Sequence, residues 1–254
     1  MCGIVGAVAT RDITPVLVEG LRRLEYRGYD SCGVALVAGG ALTRSRSTAR
    51  VADLDDQVKQ SGLAGELGIS HTRWATHGAP VTTNAHPHFS RGEVAVVHNG
   101  IIENYEEIRE ELKRAGYEFV TETDSEVIAH LVHSLYKAKG DLFDAVRGAV
   151  ARFKGAYAIA VVHKAEPKRL VGARQGSPLV VGVGKGENFL ASDLTALLEH
   201  TRDIVFIEDN ETVVITEDKV EVFGPDRAPR PLKVKQIAWD PVLAEKGGYR
   251  HFML

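Results

Sequence analysis

The sequence predicts a layered α+β domain, and three observations carry that prediction. Helix-like and strand-like segments interleave through the first 150 or so residues without a regular strand–helix–strand alternation. From about residue 156 onward strands dominate. No composition break or linker divides the chain before about residue 225. Runs of strands beside pairs of helices fit segregated layers better than a parallel βαβ sheet. The 254 residues suffice for one large domain or two small ones.

The apolar run Gly3–Ala9 reads as a short buried strand. Thr14 as N-cap and Pro15 at the first helical position then open a helix with Val16, Val18, Leu21 and Leu24 on one face. The loop Tyr26-Arg27-Gly28-Tyr29-Asp30-Ser31 leads to a strand over 33–37. A helix over 49–61 and a strand over 66–72 follow. Residues 94–97 (VAVV) read as a buried strand stopping at His98-Asn99-Gly100. Asn104 caps an amphipathic helix to about Arg114, closed by Gly116. After a strand-like 119–121, Thr123 or Asp124 starts a helix with Val127, Ile128, Leu131 and Leu135 at helical spacing, and 142–153 reads as another. Seven strand-like runs then fill 156–224, with a short helix at 194–200 and turns at Lys185-Gly186, Asp209-Asn210 and Glu217-Asp218. Residues 227–254, richer in Pro and charge, read as a tail or connector.

Hydrophobic content of 44% and charged content of 26% match an ordinary soluble globular protein. A net charge of −3 with scattered basic residues argues against nucleic acid and anionic membrane as partners. No apolar run approaches the ~20 residues that span a bilayer, and no basic stretch leads into a signal-like segment. The two cysteines, Cys2 and Cys32, offer no disulfide framework and suit a reducing cytoplasm.

Four clusters could carry chemistry. Trimming of Met1 would leave Cys2 with a thiol (~8.5) and a free α-amine (~7.7–8.0) on one residue, a nucleophile carrying its own base. The alternative is a small hydrophobe starting a strand. In His71-Thr72-Arg73-Trp74-Ala75-Thr76-His77-Gly78, Arg73 has the planar fork to grip a carboxylate, or it stacks on Trp74 for structure. In His98-Asn99-Gly100, the Asn99 amide and the Gly100 N–H make a ready oxyanion hole, or the pair is an Asn-Gly turn. In Thr121-Glu122-Thr123-Asp124, the Asp124 carboxylate holds an ammonium, or it caps a helix. His71, His77, His86, His88 and His98 invite a metal, but their spacing matches no zinc signature. Residues 182–186 (GVGKG) lack the ending of a phosphate loop and read as a hairpin turn.

Together, Met1-Cys2-Gly3-Ile4-Val5-Gly6, residues 24–31 (LEYRGYDS), 71–78, 98–104 (HNGIIEN) and 121–126 (TETDSE) closely resemble class II glutamine amidotransferases. The Tyr-Arg-Gly-Tyr-Asp-Ser loop resembles the glutaminase domains of the isomerising glutamine:fructose-6-phosphate aminotransferase branch, as do residues 176–179 and 249–253. Cys32 departs from the alanine frequent there. The resemblance implies the four-layer αββα sandwich of N-terminal nucleophile hydrolases, spanning 2–240. It implies that 241–254 begin a connector to a sugar isomerase domain binding fructose 6-phosphate, through which the longer protein dimerises.

The roles it implies are residue by residue. Cys2 attacks the side-chain carbonyl of L-glutamine, and Asn99 and Gly100 hold the oxyanion. Arg73 binds the α-carboxylate and Asp124 the α-ammonium. Thr76, His77 and Gly28 complete the pocket under a loop carrying Trp74. No cofactor is implied. Two other classes remain: a non-catalytic glutamine-binding module keeping Arg73 and Asp124, and a metal-dependent hydrolase using His86 and His88.

Overall fold

A computed structural model describes residues 2–238. In chain order the elements are β1 (Gly3–Ala9), α1 (Thr14–Leu24), β2 (Ser31–Ala38), β3 (Ala41–Ser47), α2 (Val51–Ser61), β4 (Leu67–Arg73), β5 (His88–Ser90), β6 (Val94–Gly100), α3 (Tyr105–Arg114), α4 (Glu126–Lys139) and α5 (Leu142–Val150). The strand-rich half adds β7 (Tyr157–His163), β8 (Leu170–Gln175), β9 (Val180–Val183), β10 (Glu187–Ala191), β11 (Asp203–Phe206), β12 (Thr212–Ile215), β13 (Val220–Phe223), β14 (Pro229–Arg230) and β15 (Val234–Gln236).

These strands form two antiparallel sheets. One has eight strands in the order β15-β11-β9-β10-β1-β4-β2-β3, and the other seven in the order β14-β13-β12-β8-β7-β6-β5. Helices α1 and α2 cover the outer face of the first sheet, and α3, α4 and α5 cover that of the second. The result is a four-layer αββα sandwich, as the sequence led us to expect.

Strand alternation sorts the core, because neighbouring side chains on a strand point to opposite faces. On β1, Val5, Ala7 and Ala9 face the helices while Ile4 and Val8 face the other sheet. On β4, Leu67 and Ile69 face between the sheets, as do Ala95 and Val97 on β6. The same alternation carries Cys2, His71, Arg73 and Asn99 into the inter-sheet layer at one end. Register fixes their height: Gly3 pairs with Thr72 and Ser31 with Arg73.

Several elements differ from expectation for identifiable reasons. Thr14 does not cap α1; the Asp12 carboxylate does, accepting from the Thr14 N–H (3.0 Å) and hydroxyl (2.6 Å). Strand β6 does not stop at Val97 but runs through Gly100, because β7 pairs with it up to Tyr157. Residues 119–121 form no strand; their N–H groups at Val120 and Thr121 go to the Glu126 carboxylate instead. Burial alone would raise the Glu126 carboxyl, but His130 and these donors outweigh it and bring it down to about 2. Helix α5 ends at Val150, short of 153. Asn104 precedes α3, yet its side chain ties to the 152–154 segment (Arg152 O 3.0 Å, Lys154 N–H 2.9 Å) rather than capping.

The exposed strand β3 and the short strands β5, β14 and β15 had no clear pattern in the sequence. Residues 229–236 are not a loose tail: β14 pairs with β13 and β15 with β11, so the segment straps the two sheets. The 182–186 segment is a hairpin turn between β9 and β10, as read. Among the described residues no helix is long and apolar enough to cross a membrane. The expected boundary at 240/241 and the 249–253 motif lie outside the described residues.

Candidate functional site

A cavity of about 520 Å³ opens at the polar end of the inter-sheet layer, well inside the ~300–1,000 Å³ typical of small-molecule sites. Cys2, Arg73, Trp74, Thr76, His77, Asn99, Gly100 and Asp124 all line it. Gly28 does not. It adopts φ +78°, and a Cβ there would stand 2.5 Å from the Trp74 ring, so its glycine leaves the space that the indole fills.

Cys2 is half-buried at the mouth of β1, where the Trp74 N–H donates to its Sγ at 3.1 Å. Burial pushes the thiol up from its ordinary value, and the Trp74 N–H partly offsets this. A thiol held this way is neutral at pH 7 and needs a base to become a nucleophile. Cys32 is different in kind: it is fully buried, donates weakly to Ala49 O, and burial with nearby Glu25 and Asp53 pushes it up to about 12.

Asn99 is not in a turn. It sits in the β6 ladder opposite Ala158, its Nδ2 donates to Cys2 O at 3.2 Å, and its Oδ1 accepts from His71 Nε2 at 3.0 Å. Hydrogen-bonded and non-bonded pairs alternate along an antiparallel ladder. The Ile101 N–H bonds Ala156 O (2.9 Å), so Gly100 turns its own N–H away from β7, on the side that β5 leaves uncovered. Gly100 has φ +124°, and a Cβ would lie 2.0 Å from Ala156 O, so no other residue fits. Two donors thus converge near Cys2 on a fixed backbone.

Arg73 is almost fully buried and does not stack on Trp74. Its guanidinium donates to the carbonyls of Ala79 (3.2 Å), Gly78 (3.2 Å) and His77, with Asp30 Oδ1 at 3.6 Å. Both terminal nitrogens of the guanidinium therefore hold the 77–79 loop, and the same residue lines the cavity. Asp30 also accepts the Ala75 N–H, which fixes the chain directly after Arg73.

Asp124 does not cap α4. Its Oδ2 accepts the Ile102 N–H at 2.8 Å, tying the loop after β6 to the start of α4. Ser125 donates to Asp124 Oδ1 at 3.4 Å and lies 2.9 Å from His98 Nδ1. Asp124 is buried, so a cation bound beside it would be held in a weakly screened site.

Sequence reasoning gave no role to Arg27, Thr123, Ser125, Ser177 or Pro178, and weighed His86 and His98 only as metal candidates; all of them line the cavity. His71 lies just behind it, and one signal was available: His71 stands two residues before Arg73 on the same face of β4. The histidines His71, His86 and His88 pack ring against ring, at 4.0 and 4.3 Å between centroids. Burial drives all three below their ordinary value, His71 to about 3. Among the described residues no group of three or more His, Cys, Asp or Glu side chains is placed to hold a metal ion.

Residues 71–199 match the glutamine amidotransferase domain family. Over its whole length the chain is 58% identical to a glutamine–fructose-6-phosphate aminotransferase (isomerizing) of Bordetella pertussis and 54% identical to one of Pseudomonas putida. It spans 42% of the length of each of these relatives. The fold is similar to that of a glutamine phosphoribosylpyrophosphate amidotransferase from B. subtilis. There the TM-score is 0.75 at 23% identity, over 90% of this chain and 50% of that one. The αββα layers and the matched segment converge on one assignment: the chain belongs to the glutamine amidotransferase domain family.

Proposed function

We propose that the chain hydrolyses the side-chain amide of L-glutamine to glutamate and ammonia through a γ-glutamyl thioester on Cys2. The observation that carries this is the meeting, in one cavity, of the Cys2 thiol, the Asn99 and Gly100 donors, a buried arginine and a buried aspartate. Removal of Met1 frees the Cys2 α-amine, which titrates near ~7.7–8.0 and takes the proton from Sγ. The sulfur then bonds to the amide carbon while the carbonyl electron pair moves onto oxygen. The Asn99 Nδ2–H and Gly100 N–H stabilise that charge, an interaction worth about 10²–10³ in rate per donor.

Collapse breaks the C–N bond, and the protonated amine hands its proton to the departing ammonia. Water then attacks the thioester between the same two donors, releasing glutamate and the thiol. Arg73 receives the α-carboxylate and Asp124 the α-ammonium, so the α-carbon end of the zwitterion is fixed by two charges while its side-chain amide reaches Cys2. Thr76, His77 and Trp74 wall the pocket, and Gly28 seats Trp74.

The names of the relatives support a wider reading. In a longer protein, a sugar isomerase domain would use this ammonia to make glucosamine 6-phosphate from fructose 6-phosphate; homodimerisation through that domain is proposed on the sequence resemblance alone. A free nucleophilic thiol favours the reducing cytoplasm for this chemistry.

The test is to incubate chain lacking Met1 with glutamine and measure glutamate and ammonia. Equimolar release is expected, and it should vanish when an uncleaved N-terminal extension blocks the amine. Glutamine binding without glutamate release would overturn the proposal in favour of a binding module.

A further inference from the structure

We propose that His71 is a positioning residue: it dictates which end of the Asn99 carboxamide faces the cavity, and so keeps a donor aimed at the substrate carbonyl oxygen. This rests on the amidase reading above.

A carboxamide has nearly the same shape either way round, but one end donates and the other accepts. Reversed, Asn99 would present a lone pair to the developing oxyanion, turning a stabilising contact into a repulsive one. His71 removes that ambiguity through an atom whose role is not open. The backbone carbonyl of His98 can only accept, and His71 Nε2 lies 3.0 Å from it, so Nε2 carries the ring proton. The same Nε2 lies 3.0 Å from the end of the Asn99 side chain. An amide NH2 placed there would meet a donor; the oxygen meets a proton. The Asn99 nitrogen must therefore turn to the other side, where Cys2 O accepts it at 3.2 Å and the cavity opens.

The ring that enforces this cannot swing away. His71 is fully buried on β4, flanked in register by Ile4 of β1 and Gly33 of β2, and its ring packs on that of His86. Gly33 permits that packing: a Cβ there would lie 2.2 Å from His86 O, so only glycine lets the His86 segment lie so close. Strand parity makes His98 the other half of the device. Its carbonyl, like the Gly100 N–H, points away from β7, so β6 offers His71 an acceptor one residue before Asn99.

The experiment compares His71→Leu, His71→Gln, Asn99→Ala and the Leu/Ala double variant in processed protein. Gln is chosen because its Nε2 reaches where the imidazole Nε2 stood. The Leu variant should lose about 10²-fold in kcat with KM for glutamine unchanged, and the Gln variant should recover most of it. The double variant should be no slower than Asn99→Ala alone, because the two residues act through one contact. Additive losses, or a Gln variant as slow as Leu, would overturn the proposal. If the Leu variant fails to fold, ¹⁵N-histidine NMR of the unaltered chain decides instead: a protonated Nε2 with a bare Nδ1 is expected, and a protonated Nδ1 with a bare Nε2 overturns it. Unchanged turnover in Asn99→Ala would sink the oxyanion assignment itself, and glutamine left intact by the unaltered chain would sink the amidase reading. The nitrogen spectrum reads the tautomer in either case.

Discussion

The layer between the two sheets changes character along the very strands that build it. Over most of its length β1, β4 and β6 fill it with Ile4, Val8, Leu67, Ile69, Ala95 and Val97. At one end the same alternating positions become Cys2, His71, Arg73 and Asn99. Backbone geometry does not distinguish the two regions; the pleat and the register continue through both. The aliphatic region is what makes the polar one accurate, since a close-packed core holds strand ends to within the tolerances that a reacting pair needs. Stability and chemistry are thus separable along one strand, and substitutions a few residues apart should have unlike effects.

The sharpest break should come at Cys2. Cys2→Ala should abolish glutamate release while leaving the thermal midpoint near that of the parent, because the side chain is half-exposed and small. A residual rate above background would place the nucleophile elsewhere.

Next come the charged walls. Asp124→Asn removes the charge from a hydrogen-bonded pair with substrate, which costs about 2–5 kcal/mol and should appear in kcat/KM for glutamine; Arg73→Lys keeps the charge but loses the planar fork, and should cost less. Arg73→Ala should do more than Lys, since the carbonyls of residues 77–79 lose their donors as well. A glutamine analogue lacking the α-carboxylate should be insensitive to Arg73→Lys; equal sensitivity would remove Arg73 from substrate binding.

Ile69→Ala, one alternation before His71, should act the other way round. It opens a cavity in the inter-sheet core and should cost about 2–5 kcal/mol of stability, read by denaturant midpoint, while the protein that remains folded keeps its KM. A large KM change with unaltered stability would contradict the division between the two regions.

A smaller, graded effect concerns pH. His71, His86 and His88 are held below their ordinary value by burial, His71 at about 3. Between about pH 6.5 and 3 the unfolded chain takes up protons that the folded chain refuses, so stability must fall as pH falls through that window. Glu126, held at about 2, adds to the loss below its ordinary value of 4.5. Replacing His88 with Gln should flatten the upper part of the profile in urea titrations; an unchanged slope would mean that the histidines do not carry it.

Much of this was legible in the residues, and what was not has physical causes. Strand β1 was readable because GIVGAVA has one interpretation, whereas β3 (ALTRSRS) is half-exposed and is held by β2 pairing rather than by its own pattern. Tertiary context likewise overrode Asn-Gly as a turn signal at 99–100 and Asp124 as a cap, because β7 and the Ile102 N–H claim those groups. The site residues were visible as a constellation. Their mutual orientation was not, since it depends on which sheet faces which: His71 reaches Asn99 across that gap, and its one signal was a face shared with Arg73, while Asp30 acts within its own sheet on Ala75.

The central claim is that the polar end of the inter-sheet layer activates Cys2 and nothing comparable activates Cys32. Both thiols lie in one chain, so a single measurement separates them. Processed protein is treated with an electrophilic glutamine analogue, with and without excess glutamine, and the modified cysteine is located by peptide mass mapping. We expect one adduct per chain, on Cys2, suppressed by glutamine and absent when the α-amine is blocked. Labelling of Cys32, or labelling of Cys2 that glutamine does not suppress, would contradict the account.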